Sequence, residues 1–149
     1  MDLNREIKQQ SFKSSHQKAA VNILFTGNWL ELKVKKHLKP YKLTPQQYNV
    51  LRILRGSNPQ PLSVMQIRER MLDKMSDSSR IVERLIMKKL VAKKPCRRDK
   101  RLVDIFITTQ GLKLLTDIDQ QEEHLGNFLD NLSLAEAETL NVLLDKLRA

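Results

Sequence analysis

The sequence predicts a mainly α-helical fold with one small β-hairpin. Three observations carry that expectation. Apolar residues recur at helical spacing along most of the chain. Three tetrads, Thr44 to Gln47, Ser63 to Gln66 and Ser133 to Glu136, have the capping-box pattern that opens helices. Around residues 90–107 the apolar period shortens to that of strands, on both sides of a basic segment.

Residues up to about 12 are polar and are expected to fray. A long helix is expected from about Ser14 to Leu38. One stripe on it is Ala20, Ile23, Leu24, Gly27, Leu30, Val34 and Leu38, and a second is Val21, Phe25, Trp29 and Leu32. Two stripes imply burial on two sides, more than one small domain demands. Pro40 stops this helix. The next starts with Thr44 as N-cap, Pro45 at the first helical position and Gln47 closing the box, with Leu43 and Tyr48 at the hydrophobic-staple positions. It carries Leu51 and Leu54 inward and runs to about Arg55, before a Gly-Ser-Asn-Pro-Gln-Pro loop. A third, short helix repeats the device with Ser63, Gln66 and the Leu62/Ile67 staple, and ends near Leu72.

After a tight connection, Asp73-Lys74-Met75, Ser76 is expected to cap a fourth helix with Ile81, Val82, Leu85 and Ile86 on its apolar side. Met65, Met71, Met75 and Met87 read as packing residues. Leu90 to Lys93 and Leu102 to Ile107 read as the two strands of a hairpin, with a basic tip from Lys94 to Arg101. Thr108 or Thr109 caps a long fifth helix carrying Leu114, Leu115, Ile118, Leu125, Phe128, Leu129 and Leu132. Ser133 opens a last one with Ala137, Leu140, Leu144 and Leu147.

Charge distribution narrows the function. The 149 residues carry a net charge of +10. Residues 110–149 hold three basic and eight acidic side chains, so the excess of cations lies entirely in the first two-thirds. It peaks between Lys88 and Arg101, with eight Lys/Arg against the single Asp99. So steep an asymmetry points to a polyanion partner. No apolar run is long enough to cross a membrane. The segment MDLNREIKQQSFKSSHQK lacks the apolar core and cleavage site of a secretory signal. One cysteine, Cys96, makes no intrachain disulfide, and the expected compartment is the cytoplasm.

Two short helices joined by a tight turn and followed by a basic hairpin compose a winged helix-turn-helix, whose second helix fits the major groove of double-stranded DNA. The residues placed to reach bases or phosphates are Ser76, Asp77, Ser79 and Arg80, with Arg84 one turn further on. An arginine can clamp guanine in bidentate fashion. Asp77 is the awkward member, with three roles open to it: stabilising the helix dipole, accepting from cytosine, or restraining Arg80 or Arg84. In the wing, Arg97, Arg98 and Lys100 are the phosphate or minor-groove candidates, and Asp99 is expected to pair with Arg101 and hold the tip in shape.

From Leu43 to Leu115 the sequence resembles the MarR family of bacterial regulators. The matching segments are LTPQQYNVLRIL, LSVMQIRERM, MSDSSRIVERLIMKKLVAKK and RRDKRLVDIFITTQGLKLL. Their most specific points are Asp99-x-Arg101 and Thr108-x-x-Gly111. The resemblance implies a homodimer built from an N-terminal helical segment (residues 1–42) and C-terminal helices (111–149), flanking the DNA-binding lobe (43–110). It also implies a palindromic operator, usually repression, and often release by a small ligand or an oxidant. One departure stands out: the family usually has glycine before the first wing strand, where this chain has Lys89, at a cost of roughly 1 kcal/mol if the helix ends in a left-handed cap.

Other readings weigh against simpler ones. Trp29 and Tyr48 are candidates for an effector pocket, against a plain core role. Cys96 has cationic neighbours suited to a redox switch, against a passive place in the wing. His16, His37 and His124 match no metal spacing, and no metal or other cofactor is expected. No nucleophile motif, phosphate loop or convergent carboxylate pair suggests an enzyme. Within DNA binding, the alternative to a sequence-specific regulator is an architectural protein with little sequence preference. An interaction module that has lost DNA binding also remains open.

Overall fold

The computed structural model describes residues 2–121 and 125–149 and divides into two units, one ending at His37 and one starting at Leu38. In the first unit the N-terminal residues form a short helix, α1 (Leu3–Glu6), where fraying was expected. The Asp2 side chain caps it by accepting from the Asn4 N–H at 3.3 Å. Helix α2 (Ser15–Leu38) matches the long helix expected, and the Ser14 hydroxyl accepts from the Gln17 N–H at 3.1 Å at its start. Its apolar stripes stay largely open: Leu24 and Leu32 are 69% and 65% exposed. A turn of 3-10 helix, Lys39–Tyr41, follows, because proline cannot continue the α-helical bonding.

In the second unit, α3 (Pro45–Ser57) and α4 (Val64–Arg70) both begin with complete capping boxes. In each, the Thr44 or Ser63 hydroxyl accepts from the Gln47 or Gln66 N–H, and the glutamine side chain accepts in return. Helix α5 (Ser78–Met87) leads into the antiparallel strands β1 (Val91–Pro95) and β2 (Val103–Ile107), with Val91 opposite Ile107. Residue Leu62, just ahead of α4, exchanges both backbone hydrogen bonds with Ile105, at 2.9 and 2.8 Å. The hairpin is thereby fastened to the start of α4. The core under these elements is apolar and dry of charge, with Val50, Leu51, Leu54, Ile67, Leu85, Ile105 and Leu115 at or near complete burial. Each such side chain contributes roughly 1.5–3 kcal/mol by leaving water.

Helix α6 (Thr109–Asp119) is capped by Thr108 and ends at Gln120, which corrects the long fifth helix expected from the apolar stripe. The next four residues in the chain are polar, Gln120 to Glu123, so the stripe has no member there to keep the helix against a core. Leu125–Leu129 form a 3-10 turn, and α7 (Leu134–Leu147) opens with the third capping box, Ser133 and Glu136. Residue His124 lies outside the described residues.

The α5–β1 junction explains the departure at Lys89. Its φ is 61°, the left-handed region. The Lys89 N–H donates to the Ile86 carbonyl at 2.9 Å and the Leu90 N–H to the Leu85 carbonyl at 3.1 Å. This bond pair is a Schellman closure, with Leu85 and Leu90 both buried as its apolar contact. The helix therefore ends as a glycine would end it, using a lysine. Lys89→Gly is expected to raise stability by about 1 kcal/mol by relieving that backbone. The rise is read as a higher denaturant midpoint at unchanged m-value, and an unchanged or lower midpoint counts against strain at this residue.

Candidate nucleic-acid interface

The turn between α4 and α5 is built from its own polar side chains. The Asp73 carboxylate accepts from the Met75 N–H at 2.9 Å and from the Ser76 hydroxyl at 2.8 Å. These two bonds, the Ser76 hydroxyl first, hold the Asp73 carboxyl below its usual pKa. Asn49 of α3 anchors the same turn by accepting from the Leu72 N–H at 2.9 Å. With its hydroxyl engaged by Asp73, Ser76 does not cap α5. The cap is Asp77, whose carboxylate accepts from the Arg80 N–H at 3.1 Å, and this corrects the expected helix start by one residue. A carboxylate at this position also complements the helix dipole.

The shift defines the face that α5 presents. Ser78 turns inward and is buried, its hydroxyl against the Met71 sulfur at 3.3 Å. Ser79, Arg80 and Arg84 are exposed, and neither arginine has a carboxylate partner among the described residues. Met71 is buried as expected. Met65, Met75 and Met87 are not packing residues: they are 71%, 93% and 81% exposed. Apolar character at a helix-turn-helix thus misled the sequence reading, because the turn and the outer faces of two short helices have no layer above them.

The hairpin tip is closed by backbone bonds from the Cys96 N–H to the Leu102 carbonyl at 3.0 Å and from the Leu102 N–H to the Asp99 carbonyl at 2.9 Å. Inside it the Asp99 carboxylate accepts from the Arg101 backbone N–H at 3.0 Å and from its Nε at 3.2 Å. That backbone bond first, then the guanidinium, holds the Asp99 carboxyl below its usual pKa. The Arg101 side chain is 90% exposed, so the ion pair itself adds little; the backbone bond shapes the tip. Among the described residues Arg97, Arg98 and Lys100 have no carboxylate partner, and all three are exposed. The lobe thus presents a helix N-terminus with open arginines and a loop with open cations, both mounted on one bonded framework.

Residues 41–102 match the family model described as MarR family. Over that stretch the winged helix is similar to the MarR family. The HTH-type transcriptional regulator MhqR of Bacillus subtilis (strain 168) is 27% identical to the chain over 115 residues, 77% of each protein. A crystal structure of a MarR transcription factor from Planctomyces limnophilus is 27% identical, with a TM-score of 0.67, over 91% of this chain and 98% of that one. A mutant MarR from E. coli, complexed with operator DNA, superposes with a TM-score of 0.78 at 24% identity over 99% of both chains. MhqR is a transcriptional regulator and the Planctomyces limnophilus protein a transcription factor.

Two features of this winged helix escaped the sequence reading. The Leu62 bridge to Ile105 is one residue long and has no period to betray it. Glu83, on the exposed side of α5, accepts from Lys93 of β1 at 2.8 Å, an ion pair across elements that spacing along the chain does not encode.

Trp29, on α2, is half-buried with the Lys33 ammonium 5.7 Å from its ring centre. Tyr48, on α3, is half-buried with the Arg52 guanidinium at 5.7 Å. Within the second unit an open depression of about 410 Å³ is lined by Tyr41, Lys42, Lys88, Leu90, Lys113 and Leu114 among others. Cys96 is half-buried in the wing. Among the described residues no His, Cys, Asp or Glu cluster is arranged to hold a metal ion, and no helix is long and apolar enough to cross a membrane.

The cap assignment is open to test. Asp77→Ala is expected to lower stability by about 1 kcal/mol. Ser76→Ala is expected to cost less, since it leaves the cap in place. The order of the two unfolding midpoints decides between them.

Proposed function

We propose that this chain is a sequence-specific transcriptional repressor that binds a palindromic operator as a homodimer in the cytoplasm and is released by a small ligand. The observation that carries the reading is the pairing of two open cationic surfaces on one lobe. Arg80 and Arg84 stand on the exposed side of α5, and Arg97, Arg98 and Lys100 stand on the tip of the hairpin that Leu62 fastens to α4. Helix N-termini and arginines suit the major groove, and the tip cations suit phosphates or the minor groove. The E. coli MarR variant of the same fold, which is complexed with operator DNA, supports DNA as the partner.

The homodimer is supported by apolar side chains left in water. On α2 these include Ile23, Leu24 and Leu32; on α7 they include Leu134, Val142, Leu143 and Leu147, and α7 has no buried residue at all. Exposure on this scale marks each of these helices as awaiting a partner, and a second copy supplies one symmetrically. For the ligand, the depression lined by Tyr41, Leu90 and Leu114 with Lys42, Lys88, Lys113 and Asp117 suits a small, partly apolar molecule with polar groups. Trp29 and Tyr48 remain candidates for effector contact.

Selection of bound sites from a random duplex library, at two salt concentrations, tests the reading. The expected product is an inverted repeat with half-site centres about one helical turn apart. The same selection with Arg80→Ala is expected to flatten one position per half-site, by about 1–3 kcal/mol. Strong salt-dependent binding with no consensus means an architectural protein instead. Replacing Arg97 and Arg98 together by Ala is expected to weaken binding to all sequences and to lower the slope of log K against log salt by about 2 per protomer. A loss confined to the selected site assigns those arginines to base reading.

A further inference from the structure

Glu83 is the single acidic side chain within α5, and it stands three residues beyond Arg80 on the exposed side of the helix. In a surface that meets phosphates, a free carboxylate repels DNA. At i, i+3 it is also within reach of Arg80, where an ion pair would withdraw the guanidinium from a base. Neither arrangement is present. The Glu83 carboxylate instead accepts from the Lys93 ammonium at 2.8 Å. Lys93 lies in β1 two residues after the buried Val91, so strand alternation puts the two side chains on the same face of the hairpin. Both partners remain about half exposed, at 57% and 49% of their side chains. An exposed pair of this kind adds little to stability. Its effect falls on the charges around it.

We propose that Lys93 is a positioning residue for operator recognition: it holds the Glu83 carboxylate away from Arg80 and from the phosphates, and thereby leaves Arg80 free to read a base. The inference rests on the DNA-binding role of α5. Lys93 itself then makes no phosphate contact, although it belongs to the densest basic run of the chain. The pair enters the interface as a neutral unit, and its ammonium ties the reading helix to the wing strand.

The test is a double-mutant cycle of Lys93→Met and Glu83→Gln, read as Kd on the selected operator and on random duplex, with salt slopes. Lys93→Met is expected to weaken operator binding about fivefold or more and to weaken random-duplex binding less. It should also flatten the base position that Arg80→Ala flattens. Adding Glu83→Gln is expected to restore operator affinity to within about twofold, by removing the carboxylate that Lys93 restrained. Lys93→Met combined with Glu69→Gln has the same net charge but leaves Glu83 in place, and is expected not to restore it. Thermal unfolding of each variant confirms folding. Rescue by Glu69→Gln as good as by Glu83→Gln reduces the effect to net charge and overturns the proposal. So does a Lys93→Met loss that persists in the double variant with a salt slope lower by about 1, which makes Lys93 a phosphate contact. No effect of Lys93→Met overturns it as well. Failure of the wild-type protein to bind DNA defeats the regulator reading and this inference together, whereas additive losses in a protein that selects its operator defeat this inference alone.

Discussion

Where α5 ends, three elements meet through a handful of backbone groups. The left-handed Lys89 turns the chain, and the Leu90 N–H closes onto the Leu85 carbonyl at 3.1 Å. The carbonyls of that turn then point at the start of α6. Lys89 accepts from the Thr108 hydroxyl at 2.8 Å, and Leu90 accepts from the Thr108 N–H at 3.1 Å. Gly111 completes the junction by being small. A Cβ there would lie 2.3 Å from the Leu90 carbonyl oxygen and 2.7 Å from the Ile107 side chain. The Thr-x-x-Gly signature is thus a contact requirement: threonine caps α6 and bonds the turn, and glycine lets the helix approach. The direction in which the hairpin leaves the recognition helix, and so the relation between the two surfaces assigned to DNA, depends on this junction.

Within that frame, the cations of the basic run do different things. Lys88 donates to the Lys42 carbonyl and to the Gln47 side chain, bolting the end of α5 to the start of α3. Lys94 lies over the Phe106 ring at 5.1 Å, Lys93 meets Glu83, and Arg101 meets Asp99. Arg97, Arg98 and Lys100, at the tip, have no carboxylate partner among the described residues. Net charge drew attention to the region, but hydrogen bonding decides which members of it face outward.

The helices were legible in the sequence because their starts are chemical. Thr44, Ser63 and Ser133 each have a Gln or Glu three residues on, and a local bond needs no tertiary context to form. At Lys89 only the resemblance, with its usual glycine, pointed to a left-handed cap; the lysine itself gives no local sign of it. Ser76 was misread because two polar residues stood in line for one cap. Asp73, three residues upstream, takes the Ser76 hydroxyl and leaves the cap to Asp77. The end of α6 was misread because an apolar stripe resumed at Leu125 after an interruption that periodicity alone steps over. Of the candidate site, the open arginines were identifiable by type and position. The Glu83–Lys93 pair and the Leu62–Ile105 bridge join residues 10 and 43 positions apart, and only folding brings them together.

The engagement of basic side chains inside the fold has a consequence for how such a protein finds its site. A cation already paired with a carboxylate releases fewer counterions when it approaches a duplex. In the proposed regulator, Lys93 and Arg101 would therefore add less to an indiscriminate grip on random sequence than unpaired cations do. Weak grip shortens each unproductive stop along a genome, where random sites outnumber operators by many orders of magnitude. In the proposed regulator, internal ion pairing would act on search time: it would trade residence on the wrong sequence for faster sampling of the right one.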